Sequence, residues 1–574
     1  MARREGSDIW RDSPEDTQDR RGMGDWEKAC YDYAETTALS RAKLLKLAGV
    51  GLGGVLLGPV ANAGARVSSE TAPLAGNIVM SRSGVGRNLD PHTGADVRDA
   101  EIMAYIYDSL VYVDARGKVL PGLATAWSFN QKGTVLKFKL RQGVTFHDGT
   151  PFDANDVRYA LNRWRDPKTA SATAAGFLGP ISDVAVVDKF TVAVSFSQPF
   201  APVFVNLSAP FGGMISQAAV AKYGAQFGRN PVGTGPYQFV EWNAEDTIKL
   251  RRNPNHRWST PFYLAPNGKP LTRGPVLDSV DIRTIPVDAT RYAAFTGKEV
   301  DLLLGYGGVP NQQVATLKKN KSVQVQQVPA GLLFMVLNTI KAPLKDPRVR
   351  QALSYGIDRK RLVALAWSGQ AKPGTNLLYS GFAQYDPSVA KKYNYHDPEK
   401  AKALLKAAGQ SKGLSFNYVL ASDYHSESDK RAAQLIQQDM SKIGVKMNLK
   451  LVPVTVYIKE YLDPDVLKRD NAYLNGYLNP QDPAGAISVA WGKNGFSRFG
   501  FKDGLFDTLM DQQALALNPK KRTALWHRLQ QRLSSMQYAI PLYEQISTVA
   551  AHNYVRNLHL DWQGYIHPQE LTRS

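Results

Sequence analysis

The stretch from residue 414 to residue 452 reads as strand, helix, strand, and no other part of the sequence restricts the fold as strongly. LSFNYVLAS (414 to 422) is a β-rich run, and the segment after it carries apolar residues at three- and four-residue spacing up to Gly444. VKMNLKLV (445 to 452) then alternates apolar and polar residues, the period of a half-buried strand. This pattern predicts a βαβ unit in an α/β fold.

A second unit of this kind lies upstream, with a strand at 276 to 285, a helix at 289 to 297 and a strand at 299 to 305. Two separated units predict two mixed sheets and hence two α/β lobes. The length of 574 residues agrees, since it exceeds what one hydrophobic core usually organises. Asp346 and Asp397, each followed by proline, are predicted to begin helices.

Composition and charge exclude several classes of protein. With 43% apolar residues and a mean hydropathy of -0.31, the chain is typical of a globular protein that folds in water. The net charge is +19, but the basic residues stand in short scattered runs such as LKKNK (317 to 321) and are not interleaved with stacking aromatics. We therefore expect solvated helix faces and no nucleic-acid partner.

Residues 1 to 65 read as a charged leader followed by an export signal. A basic segment leads into a glycine-rich apolar run and then into small residues between 40 and 65, which is the pattern of a cleavable signal. The predicted location is the periplasm. SRAKLLK also resembles a twin-arginine motif with Ala42 in place of the second arginine, so both the general and the twin-arginine routes stay open. Cys30, the only cysteine, precedes the expected cut, which excludes disulfides and cysteine-ligated metals from the exported part.

The segment LRQGVTFHDGTPFDANDVRYAL (140 to 161) looks at first like a catalytic cluster. Its alternation predicts a strand pair around Gln142 and Gly143, followed by a turn at His147 and Asp148. Asp153 is placed as a helix N-cap with an acidic residue at the third position. No nucleophile lies in a strained elbow here, and the nine histidines form no HxH or HExxH pair. These residues predict scaffold, and the chain is expected to have neither catalysis nor a cofactor or metal.

The same segment, LRQGVTFHDGTPFDANDVRYALNRW, resembles the signature of the extracellular solute-binding proteins of the peptide/nickel type, family 5, which serve ABC importers. Further landmarks follow in family order: LDPHTGAD (89 to 96), YIYDSLVYVD (105 to 114), LPGLATAW (120 to 127), NPVGTGPYQFVEW (230 to 242), GKEVDLL (297 to 303), the run from 337 to 362 and YNYHDPEKAKALLKAAG (393 to 409). The resemblance spans residues 76 to 560.

This resemblance implies a two-lobed periplasmic-binding-protein (flytrap) fold with mixed sheets and an extra subdomain in the first lobe. The expected boundaries are a first lobe at 76 to 335 with the subdomain at about 97 to 230, a second lobe at 336 to 540 and a C-terminal return to the first lobe at 541 to 574. The chain passages near Leu337 and Pro541 are the hinge candidates. The implied partners are a small-molecule or peptide ligand and an ABC permease, and the implied state is a monomer.

The resemblance also selects candidate ligand-binding residues. Peptide-binding members usually carry an aspartate four residues ahead of the proline in an acidic-Pro pair, and this chain has Asn479 there with Asp482 retained. The lost charge makes a free peptide amino terminus a poorer partner for this loop. The other candidates flank the loop, face it from the strand 329 to 339, or follow LDP near the other lip of the cleft: Tyr477, Trp491, Gly331, Leu333, His92 and Thr93.

Several functions stay open at this point. The leading interpretation is capture of a peptide or peptide-like solute, and the alternative is an oligosaccharide or another neutral solute that stacks on Tyr477 and Trp491. A metal chelate is a further possibility, because a chelator would leave few ligands for the protein to supply. A secreted hydrolase is less favoured because neither a nucleophile with a base nor paired carboxylates have a usable context. A chemoreceptor ligand-presenting protein or an extracytoplasmic chaperone fits the same fold.

Overall fold

The computed structural model describes residues 76–84, 88–94, 96–114, 117–171, 173–243, 247–258, 275–305, 307–462, 471–478, 482–491 and 502–574. The expected leader and export signal, residues 1 to 65, lie outside the described residues. Within the described part, none of the helices has both the length and the apolar character needed to span a membrane.

The strands form one large mixed sheet, a four-stranded antiparallel sheet and two short pairs. In chain order the strands are β1 Asn77–Arg82, β2 Val111–Val113, β3 Val119–Pro121, β4 Ala124–Phe129, β5 Val135–Leu140, β6 Ile181–Asp188, β7 Thr191–Phe196, β8 Tyr237–Trp242, β9 Thr247–Arg252, β10 Ser279–Thr284, β11 Leu302–Leu303, β12 Val323–Val336, β13 Ala371–Pro373, β14 Leu414–Ala421, β15 Val445–Val452, β16 Asn471–Leu478, β17 Ala539–His552, β18 Val555–Arg556 and β19 Thr572–Arg573.

The α-helices pack on both faces of the large sheet and on the small one. They are α1 Val97–Ile106, α2 Ala154–Arg165, α3 Ala174–Phe177, α4 Val203–Leu207, α5 Gln217–Tyr223, α6 Asp288–Thr296, α7 Val314–Lys319, α8 Pro347–Gly356, α9 Arg359–Ala366, α10 Ser388–Lys392, α11 Pro398–Ala407, α12 Glu427–Lys442, α13 Val454–Leu462, α14 Pro483–Trp491, α15 Gly504–Leu515 and α16 Pro519–Met536. The α/β class predicted from the sequence is confirmed.

Both predicted βαβ units are present. β14 and β15 are adjacent and parallel, with α12 between them in the chain. In the upstream unit, β10 and β11 pair in parallel with β1, which lies between them. The helix starts at Asp346 and Asp397 are also confirmed, since each side chain accepts a backbone N–H of its helix.

The hydrophobic clusters divide the molecule into two lobes, which meet along β12 and β17. One hydrophobic cluster collects residues from 78 to 304 and again from 549 to 571, and we call this part the first lobe. Two clusters on opposite faces of β12, β14 and β16 collect residues from 332 to 543, and these form the second lobe. β12 and β17 pair along 14-residue lengths and run through both parts, so the two lobes share one sheet. The prediction of two mixed sheets is therefore wrong: both βαβ units belong to the same mixed sheet, because β12 and β17 join their strands edge to edge.

The segment from 140 to 161 is scaffold in part as predicted. Asp153 caps α2 in a capping box with Asp156, and a turn closes at residues 146 to 150. The predicted strand pair around Gln142 and Gly143 is wrong, because β5 already has β4 on one edge and β7 on the other. With no free edge to pair with, residues 144 to 146 make only a single bridge, from Thr145 to Pro151.

Candidate functional site

A small cavity of about 30 Å³ opens where the two lobes face each other. Residues from the first lobe line one side and residues from the second lobe line the other. Its described lining consists of Val113, Asp114, Gly117, Val205 and Trp562 from the first lobe, and Gly381, Phe382, Ala383, Gln384, Asp482 and Pro483 from the second. A cavity divided between two lobes in this way changes shape whenever the lobes move relative to each other.

Trp562 contributes an aromatic ring from the last part of the chain. Its indole Nε1–H donates a hydrogen bond to the carbonyl oxygen of Val113 at 2.8 Å. That bond ties the C-terminal segment to β2 and fixes the ring on the first-lobe wall of the cavity. The expected return of the C-terminal segment to the first lobe is the signal that could have placed this residue at the boundary.

Asp482 lines the second-lobe wall, but its carboxylate is already engaged inside the protein. It accepts hydrogen bonds from Arg522 Nη1 at 2.7 Å and Nη2 at 2.6 Å, and a third from the Ala484 N–H at 2.8 Å. The two charged side chains are 0% and 7% exposed. A two-pronged buried ion pair of this kind fixes Asp482 at the start of α14 and neutralises its charge toward the cavity.

Tyr477 and Trp491 belong to one aromatic cluster in the second lobe. The Tyr477 hydroxyl donates to the Leu377 carbonyl oxygen, and its ring lies 6.1 Å from that of Phe334. Trp491 is 0% exposed, with its ring 5.0 Å from that of Phe334. As the side chains lie here, both residues pack the cluster, and their predicted contact with ligand stays a prediction.

Gly331 and Leu333 lie on β12 with their side-chain positions on one face of the sheet. Gly331 pairs with Leu478, and Leu333 pairs with Gly476. Tyr477 pairs with Leu332, the residue between them, so it points to the opposite face from Leu333. Leu333 is 8% exposed and packs in the core on its side of the sheet.

His92 and Thr93 lie in a turn of the first lobe, away from the described lining of the cavity between the lobes. The His92 ring stacks on Trp164 at 5.5 Å, and its Nδ1 accepts a hydrogen bond from Arg163. Burial lowers the pKa of His92 to about 3, so the ring is neutral at physiological pH. The Thr93 hydroxyl accepts a hydrogen bond from Asn88. The remaining candidate, Asn479, lies outside the described residues.

The sequence prediction missed most of the cavity wall. Trp562, the turn at Val113 and Asp114, and the segment from Gly381 to Gln384 were not among the candidates. Among the described residues, Asp482 is the one predicted candidate that lines this cavity, and no group of three His, Cys, Asp or Glu side chains is placed to hold a metal ion.

Two α/β lobes that share a pair of long strands and face each other across a cavity define the class of solute-binding proteins that enclose a ligand between lobes. Comparison with known proteins gives the family. The model for bacterial extracellular solute-binding proteins, family 5 middle, matches residues 118–496, so the chain belongs to that family of substrate-binding transport proteins. The resemblance read from the sequence is therefore confirmed.

Curated relatives and solved structures agree with this assignment. The glutathione-binding protein GsiB of Escherichia coli strain K12 is 31% identical over 371 residues, which are 63% of this chain and 67% of that protein. HbpA2 from Haemophilus parasuis has the same fold with a TM-score of 0.74 at 22% identity, over 87% of this chain and 100% of that one. DppA from Helicobacter pylori, in complex with the peptide STSA, has a TM-score of 0.69 at 24% identity, over 87% of this chain and 98% of that one.

Proposed function

We propose that this protein is a periplasmic solute-binding protein that captures a peptide or peptide-like solute between its lobes and delivers it to the permease of an ABC importer. The observation that carries the proposal is the cavity lined from both lobes, because a ligand held there contacts both walls and stabilises the closed arrangement. The names of the similar proteins, one for glutathione and one complexed with a peptide, favour a peptide-like ligand. The proposed role is binding and delivery without catalysis, by a monomer.

A neutral solute such as an oligosaccharide is the second candidate. The aromatic rings of Trp562 and Phe382 line the cavity and offer surfaces on which a sugar ring stacks. The charge of Asp482 is already matched by Arg522, so that carboxylate offers little to a peptide ammonium group. The predicted site residues stay proposals in both cases: Asn479, Asp482, Tyr477, Trp491, Gly331, Leu333, His92 and Thr93.

The two candidates are separated by native mass spectrometry of protein prepared from the periplasm without denaturation. Any bound molecule is released and identified. A co-purified peptide supports the leading proposal, and a sugar or other neutral solute supports the second. A detected reaction product formed from the bound molecule would contradict the proposed absence of catalysis.

Ligand is expected to make the particle more compact. Binding energy that is available only when both walls touch the ligand shifts the lobes toward the closed state. Small-angle X-ray scattering should therefore report a smaller radius of gyration with saturating ligand than without it. Identical scattering curves in the two states, at ligand concentrations shown by calorimetry to saturate the site, would contradict closure.

The substitution Asn479→Asp is expected to raise the affinity for short peptides by about tenfold, the contribution of one charge-assisted hydrogen bond to an ammonium group. Isothermal titration with short peptides measures the change. Asn255→Asp, at an exposed first-lobe position, adds the same charge elsewhere and should leave affinity unchanged. An equal effect of both substitutions would indicate a general electrostatic effect and would contradict a role for residue 479 in the site.

A further inference from the structure

Glu544 is a buried carboxylate at the junction of the two lobes. It lies on β17 opposite Leu332 of β12 and Lys372 of β13, and it is 2% exposed. Three residues further along the same strand, the Ser547 hydroxyl donates a hydrogen bond to the carbonyl oxygen of Gly564 in the first lobe. Glu544 is therefore held where β17 passes from one lobe to the other.

The hydrogen bonds of Glu544 are with one neighbour. Oε1 accepts the backbone N–H of Ser380 at 3.0 Å, and Oε2 accepts the Ser380 hydroxyl at 2.6 Å. Lys372 lies across the strand pair without forming an ion pair with Glu544 among the described residues, and its charge offsets the burial only in part. Burial therefore raises the pKa of Glu544, since its charge has lost water without gaining a full counter-ion.

A second buried polar group belongs to Tyr379, the residue before Ser380. The Tyr379 side chain is 0% exposed, and its hydroxyl has no hydrogen-bond partner among the described residues. Burial raises the pKa of Tyr379, and the charges of Glu544 and of Asp561, the latter on the first lobe, raise it further. The hydroxyl is thus within electrostatic reach of carboxylates from both lobes.

The segment from Ser380 to Phe382 connects Glu544 and Tyr379 to the cavity wall. Ser380 binds Glu544, and the next two residues, Gly381 and Phe382, line the cavity. Gly381 has no side chain to stand between the cavity and the Tyr379 ring, and a Cβ there would lie 2.3 Å from that ring. The ring centroid of Phe382 is 4.7 Å from that of Tyr379. The carboxylate, the hydroxyl and the rings are therefore directly behind the cavity wall.

We propose that Glu544 and Tyr379 form a subsite for a protonated amine of the ligand. The ammonium group donates hydrogen bonds to the Glu544 carboxylate and to the Tyr379 hydroxyl oxygen, while the aromatic rings of Tyr379 and Tyr477 surround it. This inference rests on the proposed function. It gives the ligand a charged partner in a chain whose loop carries Asn479 where peptide-binding relatives carry an aspartate.

The test uses a tryptic digest of casein as a mixed peptide probe, together with the same digest after N-acetylation. The full exported protein is incubated with each mixture, and native mass spectrometry identifies what is retained. Titration calorimetry with the best retained peptide and its N-acetyl form then compares the wild type with Glu544→Gln and Tyr379→Phe. Glu399→Gln, an exposed acid in α11 of the same lobe, is the matched control.

We expect retention from the free digest and little from the acetylated one. Glu544→Gln removes the charge but keeps an oxygen to accept the Ser380 backbone N–H, and its amide N–H can donate to the Ser380 hydroxyl. It should weaken binding of the free peptide by about 30-fold or more. The same substitution should leave the affinity for the N-acetyl peptide unchanged. Tyr379→Phe should weaken binding of the free peptide about three- to tenfold without lowering the thermal midpoint, because its hydroxyl has no hydrogen-bond partner among the described residues.

Each contrary outcome has a distinct meaning. Equal retention of free and acetylated peptides, or equal affinities of Glu544→Gln and the wild type, overturns the amine subsite and leaves peptide binding in place. A loss of affinity in Tyr379→Phe that accompanies a lower thermal midpoint assigns the hydroxyl to the fold and overturns its place in the subsite. Retention of nothing from either digest overturns both the peptide proposal and the subsite that rests on it.

Discussion

Replacement of Asp482 by asparagine is expected to lower the free energy of unfolding by about 3–5 kcal/mol, the cost of leaving one partner of a buried ion pair without the other. Arg522 would remain 7% exposed, with the Gln513 oxygens as its remaining acceptors. The start of α14 would also lose its anchor on the cavity wall, so ligand affinity should fall together with stability. Urea denaturation of the ligand-free protein and titration with its ligand measure the two effects.

Two companion variants make this expectation specific. Asp482→Leu combined with Arg522→Met removes both charges and should recover most of the lost stability, since well-packed apolar pairs replace buried ion pairs with little loss. Glu241→Gln breaks an exposed pair with Lys249 and should change stability by less than about 1 kcal/mol. If Asp482→Asn lowered the free energy of unfolding no more than Glu241→Gln does, the ion pair of Asp482 with Arg522 would not be what holds the start of α14.

Acid is expected to destabilise the protein through two buried histidines. Burial lowers the pKa of His92 to about 3 and that of His147 to about 4, from an ordinary value of 6.5. Below pH 6.5 the unfolded chain binds protons that the folded chain does not, so stability falls as the pH falls toward these values. Each histidine contributes about 1.4 kcal/mol per pH unit, or on the order of 6 kcal/mol together between pH 6.5 and pH 4.

Glu101 changes the stability in the opposite direction over part of this pH range. Burial raises its pKa to about 8 from 4.5, so the folded chain holds a proton that the unfolded chain releases between those values. Its contribution to stability is therefore lost as the pH rises from 4.5 to 8. Asp156, whose pKa burial raises to about 6 from 3.8, acts in the same way as Glu101. The two carboxyl groups offset the two histidines between pH 4.5 and 6, so the net loss of stability in acid appears below pH 4.5.

Urea titrations at several pH values measure these slopes. The double variant His92→Gln and His147→Gln should lose the acid-dependent slope, even though it also lowers stability at neutral pH. His396→Gln, at an exposed position, should leave the slope as it is. A double variant with an unchanged slope would show that other groups govern the acid response.

Local patterns predicted the elements of the fold well. The alternation in β15, the apolar spacing in α12 and the Asp-Pro helix starts each depend on neighbours in the chain, and each is present in the structure. The strand predicted after Gly143 failed for a reason that no local pattern contains. Both edges of β5 are occupied by strands from elsewhere in the chain.

The cavity wall was harder to predict because its residues come from distant parts of the chain. Val113, Gly381 and Trp562 meet only after both lobes have folded. Val113 lies in a family landmark, but nothing in that landmark marks it as part of a cavity wall, and Gly381 and Trp562 lie in no landmark stretch. Asp482 was found because it belongs to a recognisable acidic-Pro pair, but the sequence does not tell that Arg522, forty positions away, engages its carboxylate. A residue type can suggest a role, whereas its neighbours in three dimensions decide whether its polar atoms are available.

The pairing of β12 with β17 determines the order in which parts of the protein can fold. Val323 pairs with His552 and Val336 pairs with Ala539, so every contact in this ladder closes a loop of at least two hundred residues. Such closures are slow, because chain entropy opposes them until the intervening residues are compact. During synthesis, β14, α12 and β15 can assemble as soon as they emerge from the ribosome. The sheet of the first lobe, in contrast, must wait for β17, so a chain stalled short of that strand carries an unfinished first lobe.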